Sequence, residues 1–357
     1  MIKAAILGTA HMHVNEIALY LYEQPDFILS GVADIPPEIP EITEARYTRT
    51  WNLKHIYEQY KIPVFSDYKE MLEKANPDIV FLLCENSRKM EVAKECIEKK
   101  IALCIEKPMA MNYKQAKEIA AFAEEKEVEV VINWPTTWRP YIHTLAAAVE
   151  SGIVGKPQKL RYLNGHTGPL GTGAKHRGIK ERADEMTDQE KASTWWYRKE
   201  SGGGVFLDIM CYGAMYSCWF MGTKPKQIMS SGRNLNTPFG NVEDNASAIV
   251  VYEGKQAVLE GTWTTPRCVI PSGPMLFCEK GVLVCTGRSE ENPGVAAFDL
   301  KGNQIKIISA DFPFRNMAWQ YAHHIKTGEA VHKTLTLSFN LDVMRLLDQM
   351  ICKAEEE

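Results

Sequence analysis

The chain has 357 residues, 45% apolar and 24% charged, and its 41 Lys and Arg stand against 45 Asp and Glu for a net charge of −4. One core rarely grows beyond ~250–300 residues, so two domains are expected. The balanced charge gives no electrostatic reason for a nucleic-acid or anionic-membrane partner, and no apolar run approaches the ~20 residues of a membrane span.

The first residues, Met1-Ile2-Lys3-Ala4-Ala5-Ile6-Leu7-Gly8, resemble a short apolar signal. They run straight into a polar, His-rich turn and read as a buried strand. The nine Cys are scattered without a C-x-x-C pair, and Cys96, Cys104, Cys211 and Cys218 lie in apolar surroundings. That usage fits reduced, packed thiols of a cytoplasmic protein better than disulfides or zinc.

Residues 1–133 alternate apolar runs at 2–7, 28–33, 79–84, 101–106 and 128–133 with helical patterns at 13–23, 67–74, 87–99 and 113–126. Continuous apolar runs suit parallel strands covered on both faces, and their alternation with helices predicts a doubly wound α/β sheet. Asp67 and Glu70 form a capping pair for the second helix. Beyond about residue 134, helices are expected at 140–151 and 204–221. Strand-like segments follow at 225–232, 246–252, 256–264, 275–279, 282–286 and 304–308, with Gly254, Gly281 and Gly302 at the turns. Short connections of this kind predict a mostly antiparallel sheet in an α+β domain. A last helix at 338–354 carries Leu341, Met344, Leu347, Met350 and Ile351 on one side and ends in a Glu-rich tail. The expected division is a Rossmann nucleotide domain at 1–133, a substrate and oligomerisation domain at 134–337, and a helix with its tail at 338–357. The polar stretch 167–194 is either a flexible insertion or a loop that covers a site.

Strand 2–7 leads into Gly8-Thr9-Ala10-His11-Met12-His13, where a dinucleotide-binding unit places its phosphate loop. Gly8 permits the tight turn, and a helix N-terminus offers N–H groups to a pyrophosphate. Ala10 and His13 depart from the G-x-G-x-x-G pattern. Asp34 lies 21 residues beyond His13. A carboxylate there accepts hydrogen bonds from ribose hydroxyls and repels a 2′-phosphate, and Ile35 follows it rather than Arg, so NAD is expected over NADP. The cofactor-facing set is Gly8, Thr9, Ala10, His11, Met12, Asp34, Cys84, Glu85, Asn86, Glu106 and Lys107. His11 and His13 have H-x-H spacing but diverge on a helix start, and no Asp, Glu or Cys cluster accompanies them in sequence. They are read as phosphate-loop residues, with no metal site.

Strand 101–106 delivers Glu106-Lys107-Pro108 to the edge where open α/β sheets bind ligands. Pro108 fixes the turn and admits a cis bond. Farther on, Ser201-Gly202-Gly203-Gly204 precedes a helix in which Asp208 and Tyr212 stand at i and i+4 on one face. Lys107, Asp208 and Tyr212 form a proton-transfer set, with the Lys cation favouring the Tyr phenolate. Trp134, Arg139, His166, Trp195, Trp196 and Arg198 are candidates to line the substrate pocket around that set.

On these residues the chain resembles the glucose–fructose oxidoreductase, inositol dehydrogenase and rhizopine catabolism family (Gfo/Idh/MocA). The resemblance rests on Glu106-Lys107-Pro108, the triple glycine with Asp208, and collinear minor signatures. These are Tyr60-Lys61-Ile62-Pro63-Val64-Phe65-Ser66-Asp67-Tyr68, Asn76-Pro77-Asp78-Ile79-Val80, Ser151-Gly152-Ile153-Val154-Gly155, Glu243-Asp244-Asn245, Glu279-Lys280-Gly281 and Asn340-Leu341-Asp342-Val343-Met344. The resemblance implies a Rossmann domain, a C-terminal domain with an open sheet, NAD or NADP as cofactor, and sugars, cyclitols or polyols as substrates. It implies Lys107 as the active-site lysine and Asp208 as the Asp of a D-x-x-x-H motif. Tyr212 replaces the usual His, as in one subgroup of the family, and Lys89 stands where a His is common. The expected activity is NAD-dependent hydride transfer to or from a sugar or polyol. The alternatives are an NAD-dependent glycoside hydrolase using transient oxidation and a non-catalytic dinucleotide or sugar sensor. A homodimer or homotetramer is expected through residues 225–310.

Overall fold

The computed structural model describes residues 1–287 and 294–356. Its first half alternates β1 (Ile2–Leu7), α1 (Val14–Glu23), β2 (Phe27–Ala33), α2 (Arg49–Tyr60), β3 (Val64–Phe65), α3 (Tyr68–Ala75), β4 (Ile79–Leu82), α4 (Lys89–Glu98), β5 (Ala102–Glu106), α5 (Tyr113–Glu125) and β6 (Val130–Asn133). The six strands pair in parallel in the order β3-β2-β1-β4-β5-β6. Ala4–Leu7 and Ile79–Leu82 are buried throughout, as strands covered on both faces must be. The order reverses beside β1, so the crevice for a ligand opens over the C-terminal ends of β1 and β4.

The second half contributes α6 (Pro140–Glu150), β7 (Pro157–Gly165), α7 (Asp188–Ser193), α8 (Cys211–Phe220), β8 (Gln227–Arg233), β9 (Asn245–Tyr252), β10 (Lys255–Thr262), β11 (Met275–Cys278), β12 (Gly281–Cys285), β13 (Val295–Asp299), β14 (Gln304–Ile305), α9 (Met317–Thr327) and α10 (Leu337–Glu355). Its eight strands run in the order β14-β13-β12-β11-β7-β10-β9-β8, antiparallel except for β7 beside β10. The two last helices return to the first half: α9 packs on α1, and α10 on α5, β6 and α8.

Several expectations are corrected. Residues 204–221 are not one α-helix: a π-helical turn at Phe206–Met210 precedes α8, so Asp208 and Tyr212 do not follow ordinary α-helical register. Strand 304–308 shortens to Gln304–Ile305. Helices α2, α7 and α9 and strands β3, β7 and β13 have no counterpart among the expected elements. The buried face of α2 is Arg49, Asn52, His55 and Ile56, three of them polar, which erases the apolar period a helix normally shows. The stretch 167–194 is a covering loop. Tyr47 Oη donates to Glu181 O at 2.8 Å, Arg46 N to Asp184 Oδ2 at 2.9 Å, and Thr43 Oγ1 to Glu190 Oε1 at 3.1 Å.

Candidate active site

The turn after β1 is built for glycine. Gly8 has φ +84°, and a Cβ on it would lie 2.5 Å from Cys84 N. The loop it starts is fully packed. Thr9 N donates to Asp34 Oδ1 at 2.8 Å, and Trp195 Nε1 donates to Ala10 O at 3.0 Å. The Trp195 and Trp196 rings stack at 3.9 Å, and His11 meets Trp196 at 4.9 Å. Asn86 Nδ2 donates to Gly202 O at 2.8 Å. Residues 195–204 are therefore seated on the phosphate loop and leave only a narrow, closed cleft walled by His11, Lys107, Trp195 and Asp208. The Gly8 turn, the α1 N-terminus and Asp34 suit a dinucleotide. As it stands the cleft is closed even to a water-sized group, so a nicotinamide ring needs the 195–204 segment to shift.

At the β2 end, the tertiary structure corrects the cofactor argument. Ile35 is apolar, but α2 brings Arg49 to within 2.7 Å of Asp34. The same guanidinium pairs with Glu85 and lies 3.9 Å from Glu41. Asp34 thus already has a cation, although three carboxylates still outnumber it. Burial pushes the Glu41 carboxyl up to about 7; Arg49 opposes the shift and Glu85 adds to it.

The isolation expected of His11 and His13 also fails. Glu106, far away in sequence, places Oε1 3.0 Å from His13 Nδ1, while Asn133 Nδ2 donates to its other oxygen at 2.8 Å. One donor atom from each of His11, His13 and Glu106 lies within 4.8 Å of the others. His11 Nδ1 already accepts from His13 N at 3.1 Å. Burial, His13 and the Lys107 and Lys89 charges hold the His11 pKa well below its usual value. Those ammonium charges oppose a divalent cation as they oppose a protonated imidazole.

Lys107 and Asp208 meet as anticipated. Lys107 Nζ donates to Asp208 Oδ1 at 3.0 Å and Asp208 O at 2.9 Å, across a sequence gap of 101 residues. The Lys107–Pro108 bond is cis. The other Asp208 oxygen accepts from Trp263 Nε1 at 3.0 Å and lies 3.5 Å from His166 Nε2. Burial works against the Lys107 charge, but the neighbouring Asp208 carboxylate opposes that, and the amine stays well above its ordinary pKa. Against its own burial, Asp208 is held well below the carboxylate range by Lys107 and His166. Tyr212 departs from the expected phenolate. Lys107 Nζ stands 4.7 Å from the centre of its ring, and burial, the largest influence, pushes the phenol up although the Lys charge opposes it. Lys89, buried completely, donates to Glu106 O at 2.6 Å and Pro108 O at 2.7 Å. It thus holds the turn that carries Lys107, and burial lowers its pKa to about 8.

The pocket-lining candidates divide. His166 joins Asp208, and its Nδ1 is buried without a hydrogen-bond partner. Arg139 lines a cleft beside His13. Trp134 is core: it is 1% exposed and donates Nε1 to Asn340 Oδ1 at 2.8 Å. Trp195 and Trp196 are buried against the phosphate loop, which removes them from an open sugar surface. Arg198 is half-buried near the same segment. Arg49, Asn133 and Trp263 escaped sequence reasoning, because each acquires its role from a partner distant in the chain. Asn133 and Trp263 lie in segments, 128–133 and 256–264, that the strand pattern marks, whereas Arg49 lies in none.

Residues 2–134 match the model of an oxidoreductase family with an NAD-binding Rossmann fold, and residues 142–284 match the C-terminal domain of the GFO/IDH/MocA family. A trans-1,2-dihydrobenzene-1,2-diol dehydrogenase of Xenopus tropicalis is 24% identical over 233 residues, covering 64% of this chain and 62% of its own length. A myo-inositol 2-dehydrogenase of Thermotoga maritima is 22% identical over 196 residues, 55% of this chain and 52% of the relative. The match thus spans about half to two-thirds of these relatives. The solved aldose-aldose oxidoreductase of Caulobacter crescentus, complexed with glycerol, shares the fold with a TM-score of 0.75 at 18% identity, over 99% of this chain and 98% of that one.

Proposed function

Because this chain belongs to the GFO/IDH/MocA oxidoreductase family, we propose that it moves a hydride between a hydroxyl-bearing carbon of a sugar, cyclitol or related polyol and a nicotinamide dinucleotide. The observation that carries this reading is the convergence of Lys107, Asp208 and His166 beside the phosphate loop. Gly8, the N–H groups opening α1, and Asp34 would hold the dinucleotide, and when bound it supplies the hydride acceptor. NAD is favoured over NADP because Asp34, Glu41 and Glu85 surround a single Arg49.

The residues divide the proton work. Lys107 is a cation at neutral pH and cannot accept a proton; it binds the substrate oxygen and stabilises the negative charge that develops there. With His166 Nε2 donating to Asp208, its Nδ1 keeps a lone pair for the hydroxyl proton, and Asp208 stabilises the imidazolium that forms. Tyr212 supports Lys107 through its ring face. A second reading, glycoside cleavage by transient oxidation with the dinucleotide retained, is favoured by the seating of residues 195–204 on the loop.

A screen of sugars and polyols with NAD and NADP tests the assignment. NADH accumulation with a free sugar supports the dehydrogenase, glycoside hydrolysis without net NADH the second reading, and neither result with any substrate class refutes both. The same reading places a nucleotide domain at 1–133, a substrate and oligomerisation domain at 134–337, and the terminal helix and tail at 338–357, in a cytoplasmic protein. The outer face of β8 and β9 exposes Met229 and Ile249. We assign a homodimer or homotetramer to the face of residues 225–310, of which 288–293 lie outside the described residues. A monomeric mass at micromolar concentration would overturn it.

A further inference from the structure

Three arginines from separate parts of the chain line one cleft next to the active site. Arg139 precedes α6, Arg177 lies in the covering loop, and Arg315 precedes α9. The cleft is narrow, about 30 Å³ and open to solvent, and His13, Glu16 and Asn133 form part of its wall. His13 and Asn133 are the two side chains that hydrogen-bond Glu106, so one wall of the cleft is a single residue from Lys107.

Its charge is unbalanced. Glu16 is the one carboxylate in the lining, and it accepts a hydrogen bond from Tyr20 Oη. Among the described residues none of the three guanidinium groups has a carboxylate within ion-pair distance. Two rest on aromatic faces instead: Arg177 stands 5.4 Å from the Tyr20 ring centre and Arg315 stands 4.3 Å from that of Trp319. Arg177 also donates one N–H to Tyr20 Oη at 3.4 Å; its remaining N–H groups and the N–H edge of Arg315 are left for another acceptor. Gathering three like charges in one concave site raises its potential and attracts an oxyanion.

We propose that this cleft binds an oxyanion carried by the substrate, a carboxylate or a phosphate, so that the preferred substrates are acidic sugars or sugar phosphates rather than neutral polyols. This rests on the dehydrogenase reading above. Arg139, Arg177 and Arg315 grip the anionic end while Lys107 and His166 address the hydroxyl-bearing carbon.

The test titrates the full chain with inorganic phosphate and with D-glucuronate, followed by tryptophan fluorescence because Trp138 lines the cleft. Ionic strength is fixed with chloride. Saturable binding of at least one probe is expected, weakened roughly tenfold or more by Arg139→Gln and by Arg315→Gln, since each removes a charge-assisted contact. Both arginines are exposed, so neither change should move the urea midpoint. Tighter binding of D-glucuronate identifies a carboxylate site, and tighter phosphate a phosphate site. Binding no stronger than chloride, or variants that bind as the unmodified protein does, would overturn the proposal. So would a matching loss of NAD affinity in both variants, which would assign the cleft to the cofactor's own phosphates. Anion binding read this way is independent of turnover, so a failed dehydrogenase screen would leave it measurable.

Discussion

Replacing Arg49 by Met should be the most damaging single change near the cofactor groove. The Arg49 side chain is 7% exposed, and its partners Asp34, Glu41 and Glu85 are 17%, 7% and 4% exposed. Removing one partner of a buried ion pair typically costs ~3–5 kcal/mol, because the charge left behind has lost both water and its counterion. Here three carboxylates are left, and Ile35 O also loses a donor at 2.7 Å, so we expect a loss of about 4 kcal/mol or more at pH 8. The pH dependence is diagnostic. Burial already raises the Glu41 and Glu85 carboxyls above their unfolded values with Arg49 opposing, so without Arg49 they rise further. The folded variant then takes up protons before the unfolded chain does, and it regains stability as pH falls from 8 toward 5. Urea unfolding of both proteins at pH 8 and pH 5.5 measures this. A loss under ~1 kcal/mol at pH 8, or one that does not shrink at pH 5.5, would refute the claim that Arg49 neutralises this cluster.

Three further outcomes are expected. Lys107→Ala and His166→Ala should each lower turnover by roughly 10²–10⁴-fold, while Tyr212→Phe costs less than about tenfold; steady-state kinetics in which Tyr212→Phe is the most damaging would restore the phenol as proton carrier. Between pH ~8 and ~10.5 unfolded Lys89 keeps a proton that the folded protein has released, so this group makes unfolding free energy rise with pH. The stability gap between the unmodified protein and Lys89→Met should therefore move by about 2–3 kcal/mol in favour of the lysine from pH 7 to pH 10, and a pH-independent gap would count against it. Gly8→Ala should destabilise by several kcal/mol and weaken dinucleotide binding, since its Cβ would strike Cys84 backbone at 2.5 Å; a near-neutral midpoint in thermal unfolding would contradict that.

The strands of the nucleotide half were legible because each is an unbroken apolar run, and burial on both faces admits little else. The placement of Lys107 at a strand end and of Asp208 after a glycine run followed from that reading, and the motifs joined them to a family. Short-range pattern could not carry the rest. Helix α2 buries Arg49, Asn52 and His55, so its inner face shows no apolar period. In β7, Pro157 opens a strand whose Lys159 and Arg161 interrupt the apolar pattern, and the strand is recognisable only once β10 and β11 lie beside it. The polar partnerships depend on which loops meet: Arg49 with Asp34, Glu106 with His13, His166 with Asp208. An ion pair leaves no period in sequence, because its partners need only reach one point in space from any distance along the chain. Apolar burial, a repeating demand on local pattern, was written in the sequence, whereas the charge environment of the site exists only where the two halves of the chain and its covering loop come together.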